Sequence, residues 1–312
     1  MLRASAPQRS RSARISASNR LPSIRMIELR ALRYVRLGTR DAAGAGEYAR
    51  KVLGLEFVRR EGKSIYLRGD DRDHTLVYVE GDPSDHTTGW DAANSAALDA
   101  AAANLESMKI HVDRGTRAEC EKRYVDDFVA FTDPSGNRHE LVACARPGTS
   151  RFSASRDCGV WSFSHIGLRS TDPARDEGFW TSVMGARVSD RIGVAPLLRI
   201  DEVHHRIALF PSRHPGVQHV NHQVHGVDDV MRSYYFLRER EVRIVFGPGR
   251  HPTSGAVFLY FEGPDGMVYE YSTGVRLIQP QEEAGYRPRQ FPFAPESFCM
   301  WGSKPDIPEF RT

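Results

Sequence analysis

Twelve histidines stand in a chain of 312 residues, and eight of them fall between His165 and His251, with Glu270 a short way beyond. Two imidazoles and one carboxylate on one face of a metal, leaving open positions for substrate and oxygen, are the ligands from which enzymes activate dioxygen on non-haem iron. Such ligands need not be close in sequence, provided that each lies on a strand facing one cavity. His165 lies in the apolar run from Phe163 to Leu168, His219 enters a later module, and Glu270 stands in the run MVYEY. Three strands of one curved sheet can present these three side chains inward. A single strand histidine is ordinarily a hydrogen-bonded core or surface residue, so the inference belongs to the set.

The elements that position these residues occur twice. Residues 34–41 (YVRLGTRD) and 165–172 (HIGLRSTD) are 131 apart, and the same offset joins Gly54 to Gly185 and His74 to His205. Glu140 and Glu270 follow at an offset of 130. Landmarks held at nearly one offset indicate a duplicated domain. In each copy an alternating apolar strand (29–37; 163–168) leads to Asp41 or Asp172 as helix N-cap, and the helix ends near Gly54 or Gly185. Strands follow at 55–59, 64–67 and 74–79, and at 187–190, 197–200 and 205–210 in the second copy. A second module closes each copy, with a helix at 97–105 and strands at 128–131 and 139–142, or a helix at 228–238 and strands at 256–261 and 267–271. The expected fold is α+β: two tandem domains, each of two strand-helix-three-strand modules forming a curved sheet round a cavity. The domains are expected over 26–146 and 160–275, with a linker at 146–160.

Composition narrows the class. No apolar run approaches the ~18 residues of a membrane span. The net charge of +3 is local: six of the 43 basic residues and none of the 40 acidic ones lie in residues 1–25, leaving 37 against 40, a net of −3. The basic balance therefore implies neither a nucleic-acid partner nor a membrane surface. Residues 1–25 lack the apolar core of a secretory signal and are expected to be a disordered leader or an upstream start, with a targeting segment as the alternative. Cys120, Cys144, Cys158 and Cys299 form no CxxC pair and read as reduced thiols of a cytoplasmic chain. The tail, 276–312, with Pro292, Pro295, Phe298 and Trp301, is apolar enough to pack on the body.

The motifs FSHIGLRSTD (163–172), HHRIALF (204–210), HVNHQVHGVDDV (219–230), GRH (249–251) and FLYFEGPDGMVYEYSTG (258–274) resemble those of the type I extradiol ring-cleaving dioxygenases of the vicinal oxygen chelate superfamily. The resemblance covers 27–275 and is strongest over 160–274. It implies His165, His219 and Glu270 as ligands of Fe(II), with Mn(II) as the alternative metal. In that family the second ligand stands nine residues before the first Asp of DDV, here Asp228, which selects His219 over His222 and His225. The resemblance further implies three catalytic residues. Tyr260 and His251 hydrogen-bond the chelated catechol oxygens and share their proton, while His205 stabilises activated dioxygen as a donor and then acts as general acid. The implied partners are a catechol and O2, and the implied assembly is a homo-oligomer. Pro252-Thr253-Ser254 stands where the biphenyl-diol branch has Thr-Asn-Asp, so that branch's substrate contacts do not carry over. Gly167, two beyond the first ligand, suggests a roomier pocket.

The first copy has Tyr34 in place of His165, Thr88 at the offset of His219 and Ala130 in place of Tyr260, so a metal-free domain is expected there. Two other readings compete. A glyoxalase-like isomerase typically draws ligands from both halves of a repeat, whereas this set lies in one half. A metal-free small-molecule-binding protein on the same fold would keep its iron content unchanged in His219→Ala.

Overall fold

The computed structural model describes residues 26–311; the leader over 1–25, with the expectation of disorder, lies outside them. The first domain runs β1 (Ala31–Thr39), α1 (Ala42–Lys51), β2 (Glu56–Glu61), β3 (Ser64–Arg68), β4 (Leu76–Glu80), β5 (His86–Asp91), α2 (Ser95–Ser107), β6 (Asp113–Arg114), α3 (Arg117–Arg123), β7 (Asp127–Thr132) and β8 (Arg138–Ala143). The second runs β9 (Val160–Ser170), α4 (Pro173–Ser182), β10 (Arg187–Ile192), β11 (Ala195–Arg199), β12 (Ile207–Pro211), β13 (Gly216–Val224), α5 (Val227–Glu239), β14 (Ile244–Arg250), β15 (Val257–Glu262) and β16 (Val268–Thr273). The tail adds β17 (Arg289–Phe291) and α6 (Pro295–Phe298). The α+β duplication expected from the repeat is the fold observed, as two curved, open sheets.

The strand orders show how two modules make one sheet. They are β2-β3-β4-β1-β5-β8-β7-β6 and β14-β15-β16-β13-β9-β12-β11-β10-β17. In each, the first strands of the two modules meet antiparallel at the centre, β1 with β5 and β9 with β13. The central strands are thus flanked on both sides by the remaining strands of their own sheet.

Local chemistry explains the helix limits. Asp41 and Asp172 accept from Gly44 N at 2.9 Å and Arg175 N at 3.1 Å, and Gly54 and Gly185 take φ of +71° and +68° just past the helix ends. Expectation and structure differ at the first strand, which begins at Ala31. Ile27 and Leu29 are buried outside it, and Ile27 N bonds Val183 O of the second domain at 2.7 Å. One core runs through both domains, from Leu32 and Trp90 to Trp180 and Tyr269.

Several elements have no counterpart in the sequence reading: the central strands β5 and β13, and β6, α3, β14, β17 and α6. Helix α3 is short but carries a capping box, Thr116 with Glu119. The tail packs as expected, and β17 extends the second sheet by pairing in parallel with β10. Phe298, Cys299, Ile307 and Phe310 enter an aromatic cluster with Phe210, Phe246, Phe258 and Tyr260.

Candidate metal centre

The sheet brings the three expected ligands together. His165 lies on β9, His219 on β13 and Glu270 on β16, and all three are buried. His165 Nε2 is 3.1 Å from His219 Nε2 and 2.9 Å from Glu270 Oε2, and His219 Nε2 is 3.5 Å from that oxygen. Three ligands at right angles around an ion at roughly 2.1 Å place their donor atoms about 3 Å apart, so the triangle has the dimensions of one face of an octahedral site. Glu270 Oε2 is buried and makes no hydrogen bond of good geometry. Among the described residues this is the one group of three or more His, Cys, Asp or Glu side chains close enough to hold a metal.

Strand register explains which histidine is selected. Asn221 pairs with Glu270 across β13 and β16, and alternation puts His219, Asn221 and Gln223 on the site's face and His222 on the other. His222 is buried against Phe163, both ring nitrogens without a partner, and His225 is exposed and stacked on Trp161. His219 donates Nδ1–H to Gln218 Oε1, so its Nε2 lone pair faces the site.

Gly167 changes meaning in the structure. It pairs with His219 across β9 and β13, and a Cβ built on it would lie 2.4 Å from His219 Nδ1 and 2.8 Å from Gln218 Oε1. The missing side chain makes room for the ligand's imidazole; the expectation of a roomier substrate pocket at this position is corrected.

The other predicted residues surround the triad. Tyr260 on β15 pairs in register with Glu270. Its hydroxyl lies 3.2 Å from His251 Nε2, and His251 donates Nδ1–H to the Phe298 carbonyl at 2.8 Å. With Nδ1 so engaged, a neutral His251 offers a bare Nε2 that accepts the Tyr260 proton. The Tyr260 hydroxyl is raised well above its usual range by burial and by Glu270, so it remains a donor. His205 precedes β12, with its ring centroid 4.3 Å from that of His165, and burial pushes it well below the usual histidine range. Burial pushes His219 down to about 3. Burial alone would raise Glu270, but the imidazoles of His165, His251 and His219 hold it well below the carboxylate range.

Sequence reasoning missed the partners of this set: Gln218 beside His219, the Phe298 carbonyl beside His251, and His204, itself bonded to Asp190, beside His205. The adjacent His204-His205 pair was the one visible signal; the others act across the sheet or from the tail.

Among the described residues of the first domain, the positions that match the triad are occupied differently. Tyr34 donates to Glu140 Oε2 at 2.6 Å, and Arg123 from α3 forks onto the same carboxylate, Nε at 2.7 Å and the terminal nitrogen at 2.5 Å. A guanidinium thus compensates the carboxylate that matches Glu270. Register also corrects the offset: Gly89 pairs with Glu140 as Asn221 does with Glu270, so Thr87, not Thr88, matches His219. Thr88 lies on the opposite face, bonded to His139 Nδ1 at 2.5 Å.

Such a paired-module sheet with a histidine and carboxylate centre defines a class. The model of the Glyoxalase/Bleomycin resistance protein/Dioxygenase superfamily matches residues 31–141 and 162–271, and the chain belongs to that superfamily. It is 27% identical over 277 residues to an iron-dependent extradiol dioxygenase of Rhodococcus jostii (strain RHA1), covering 82% of this chain and 92% of the relative. It is 24% identical over 279 residues to a 1,2-dihydroxynaphthalene dioxygenase of Sphingobium xenophagum, covering 83% and 93%. A solved Mn(II)-bound glyoxalase from Novosphingobium aromaticivorans is similar at a TM-score of 0.80 and 27% identity, covering 92% and 94%. No described helix is long and apolar enough to cross a membrane.

Proposed function

We propose that this protein is an extradiol dioxygenase that opens a catechol ring beside its two hydroxyls and incorporates both atoms of O2. Its metal ligands are His165, His219 and Glu270, and its metal is Fe(II), with Mn(II) as the alternative. The single observation that carries the reading is the triangle of donor atoms with edges of 2.9, 3.1 and 3.5 Å, ringed by His205, His251 and Tyr260. Iron is favoured by the named relative from Rhodococcus, and a homo-oligomer by the family resemblance. When bound, a divalent ion supplies Lewis acidity toward the catechol hydroxyls and electrons for dioxygen.

The chain's own groups do the rest. Tyr260 donates from its hydroxyl, and His251, held through Nδ1 by the Phe298 carbonyl, receives a proton at Nε2. These two orient the substrate oxygens and share the proton that leaves them. His205 stands against the first ligand, where it can exchange a proton with the reacting oxygens. Phe246, Phe258, Tyr260 and the tail's Phe298 and Phe310 form a wall that keeps water from the site. The first domain is read as metal-free, because Arg123 already compensates Glu140.

Anaerobic reconstitution with Fe(II), followed by oxygen uptake on substituted catechols, tests the proposal. A yellow ring-opened product is expected, with metal and activity both lost in folded His219→Ala. Absence of uptake with metal fully loaded would overturn it. The Mn(II)-bound glyoxalase among similar structures favours the isomerase as second reading; metal loss in Tyr34→Phe or Glu140→Gln would support that reading.

A further inference from the structure

His205 does not stand alone. His204 Nδ1 lies 3.1 Å from His205 Nδ1, and His204 Nε2 lies 2.9 Å from Asp190 Oδ2 on β10. His204 and Asp190 are both 0% exposed. Asp190 is gripped from its far side by Arg289, whose backbone N and Nε bond Oδ1 at 2.9 and 3.1 Å and whose terminal nitrogen reaches Oδ2 at 2.6 Å. Arg289 opens β17, so a continuous string runs from the C-terminal segment to the wall of the metal centre.

Counting protons along the string gives it a direction. A carboxylate only accepts, so His204 donates from Nε2. Arg289 already compensates the Asp190 charge, and burial pushes His204 below the usual histidine range, so His204 is neutral with a bare Nδ1. The contact to His205 then forms only if His205 donates from its own Nδ1. That leaves Nε2 of His205 as the unprotonated nitrogen.

We propose that Asp190 and His204 are positioning residues that hold His205 in its Nδ1–H tautomer, so that Nε2 meets the substrate as an acceptor, and that Arg289 ties this string to the C-terminal segment. The proposal rests on the dioxygenase reading of the site. The protein has a similar arrangement at His219, where Gln218 Oε1 accepts a hydrogen bond from Nδ1–H.

The test reads the tautomer directly. Full-length protein labelled with 15N-histidine and loaded with diamagnetic Zn(II) is expected to show His205 protonated at Nδ1. His204→Gln keeps an acceptor beside His205 and is expected to keep that tautomer, whereas His204→Phe and Asp190→Asn are expected to lose it. In the Fe(II) enzyme His204→Phe and Asp190→Asn should lower kcat roughly 10- to 100-fold, with KM and metal content held. A wild-type His205 protonated at Nε2, or an unchanged tautomer in His204→Phe, would overturn the proposal. If no catechol supports oxygen uptake by the wild type, the functional reading fails, and the tautomer measurement still decides this one.

Discussion

Gly167→Ala separates two roles for this glycine. The added Cβ would stand 2.4 Å from His219 Nδ1, 2.6 Å from Cε1 and 2.8 Å from Gln218 Oε1. An ordinary contact needs roughly 3.5 Å, so the imidazole must retreat by about 1 Å. Metal–ligand distances tolerate about 0.2 Å, so a displacement of that size removes His219 as a well-placed ligand. It also breaks the bond from Nδ1 to Gln218 that orients the ring. Metal affinity should fall roughly 10- to 100-fold, equivalent to about 1.4 to 2.8 kcal/mol. Overpacking should lower the stability of the stripped protein by about 1–3 kcal/mol. Calorimetric titration of Mn(II) into stripped protein measures the first quantity and denaturant unfolding the second. Gly178→Ala is the control, since a Cβ there meets nothing within 4 Å. Wild-type metal affinity in Gly167→Ala would refute the argument, and a change confined to KM would restore Gly167 to the substrate pocket.

Two further predictions concern stability. Arg123→Met leaves Glu140, which is 1% exposed, as a buried carboxylate without its cation. Unfolding should be easier by about 3–5 kcal/mol at neutral pH, with the metal content of the second domain unchanged. Glu140 is raised by burial but held below its usual range by Arg123 and Tyr34. Its contribution is thus present above the unfolded carboxylate pKa and lost as pH falls through the folded one, so the variant should lose less stability on acidification. His222 is lowered to about 4 by burial. The unfolded chain binds that proton near 6.5, so stability is retained above that pH and falls by about 1.4 kcal/mol per unit toward pH 4. His222→Leu removes two unpartnered nitrogens and should flatten the acid limb of stability against pH without weakening the fold at pH 7. An unchanged slope would refute this assignment.

Much of the site was legible because its residues sit at strand positions in a repeat. The offset aligned Tyr34 with His165 and His74 with His205, and the structure keeps both pairings: Tyr34 stacks on His74 at 5.2 Å, and His165 approaches His205 at 4.3 Å. An offset is blind to a strand that slips by one, which is why it pointed to Thr88 when pairing across β5 and β8 picks Thr87. Choosing His219 over His222 needed the family's spacing, because periodicity of two shows that they face opposite sides without showing which side is inside.

By itself the sequence determined the duplicated module, its capping aspartates and the residues able to ligate a metal, because these depend on local pattern and on residue chemistry. Tertiary structure alone decided what orients them. Gly167 yields to an imidazole from the neighbouring strand, Arg123 compensates a carboxylate 17 residues away, and Phe298 and Arg289 return from the tail to His251 and Asp190. Those relations are distances between atoms on different strands. A chain's local pattern sets each strand's faces, while only the closed register of the sheet sets which faces meet.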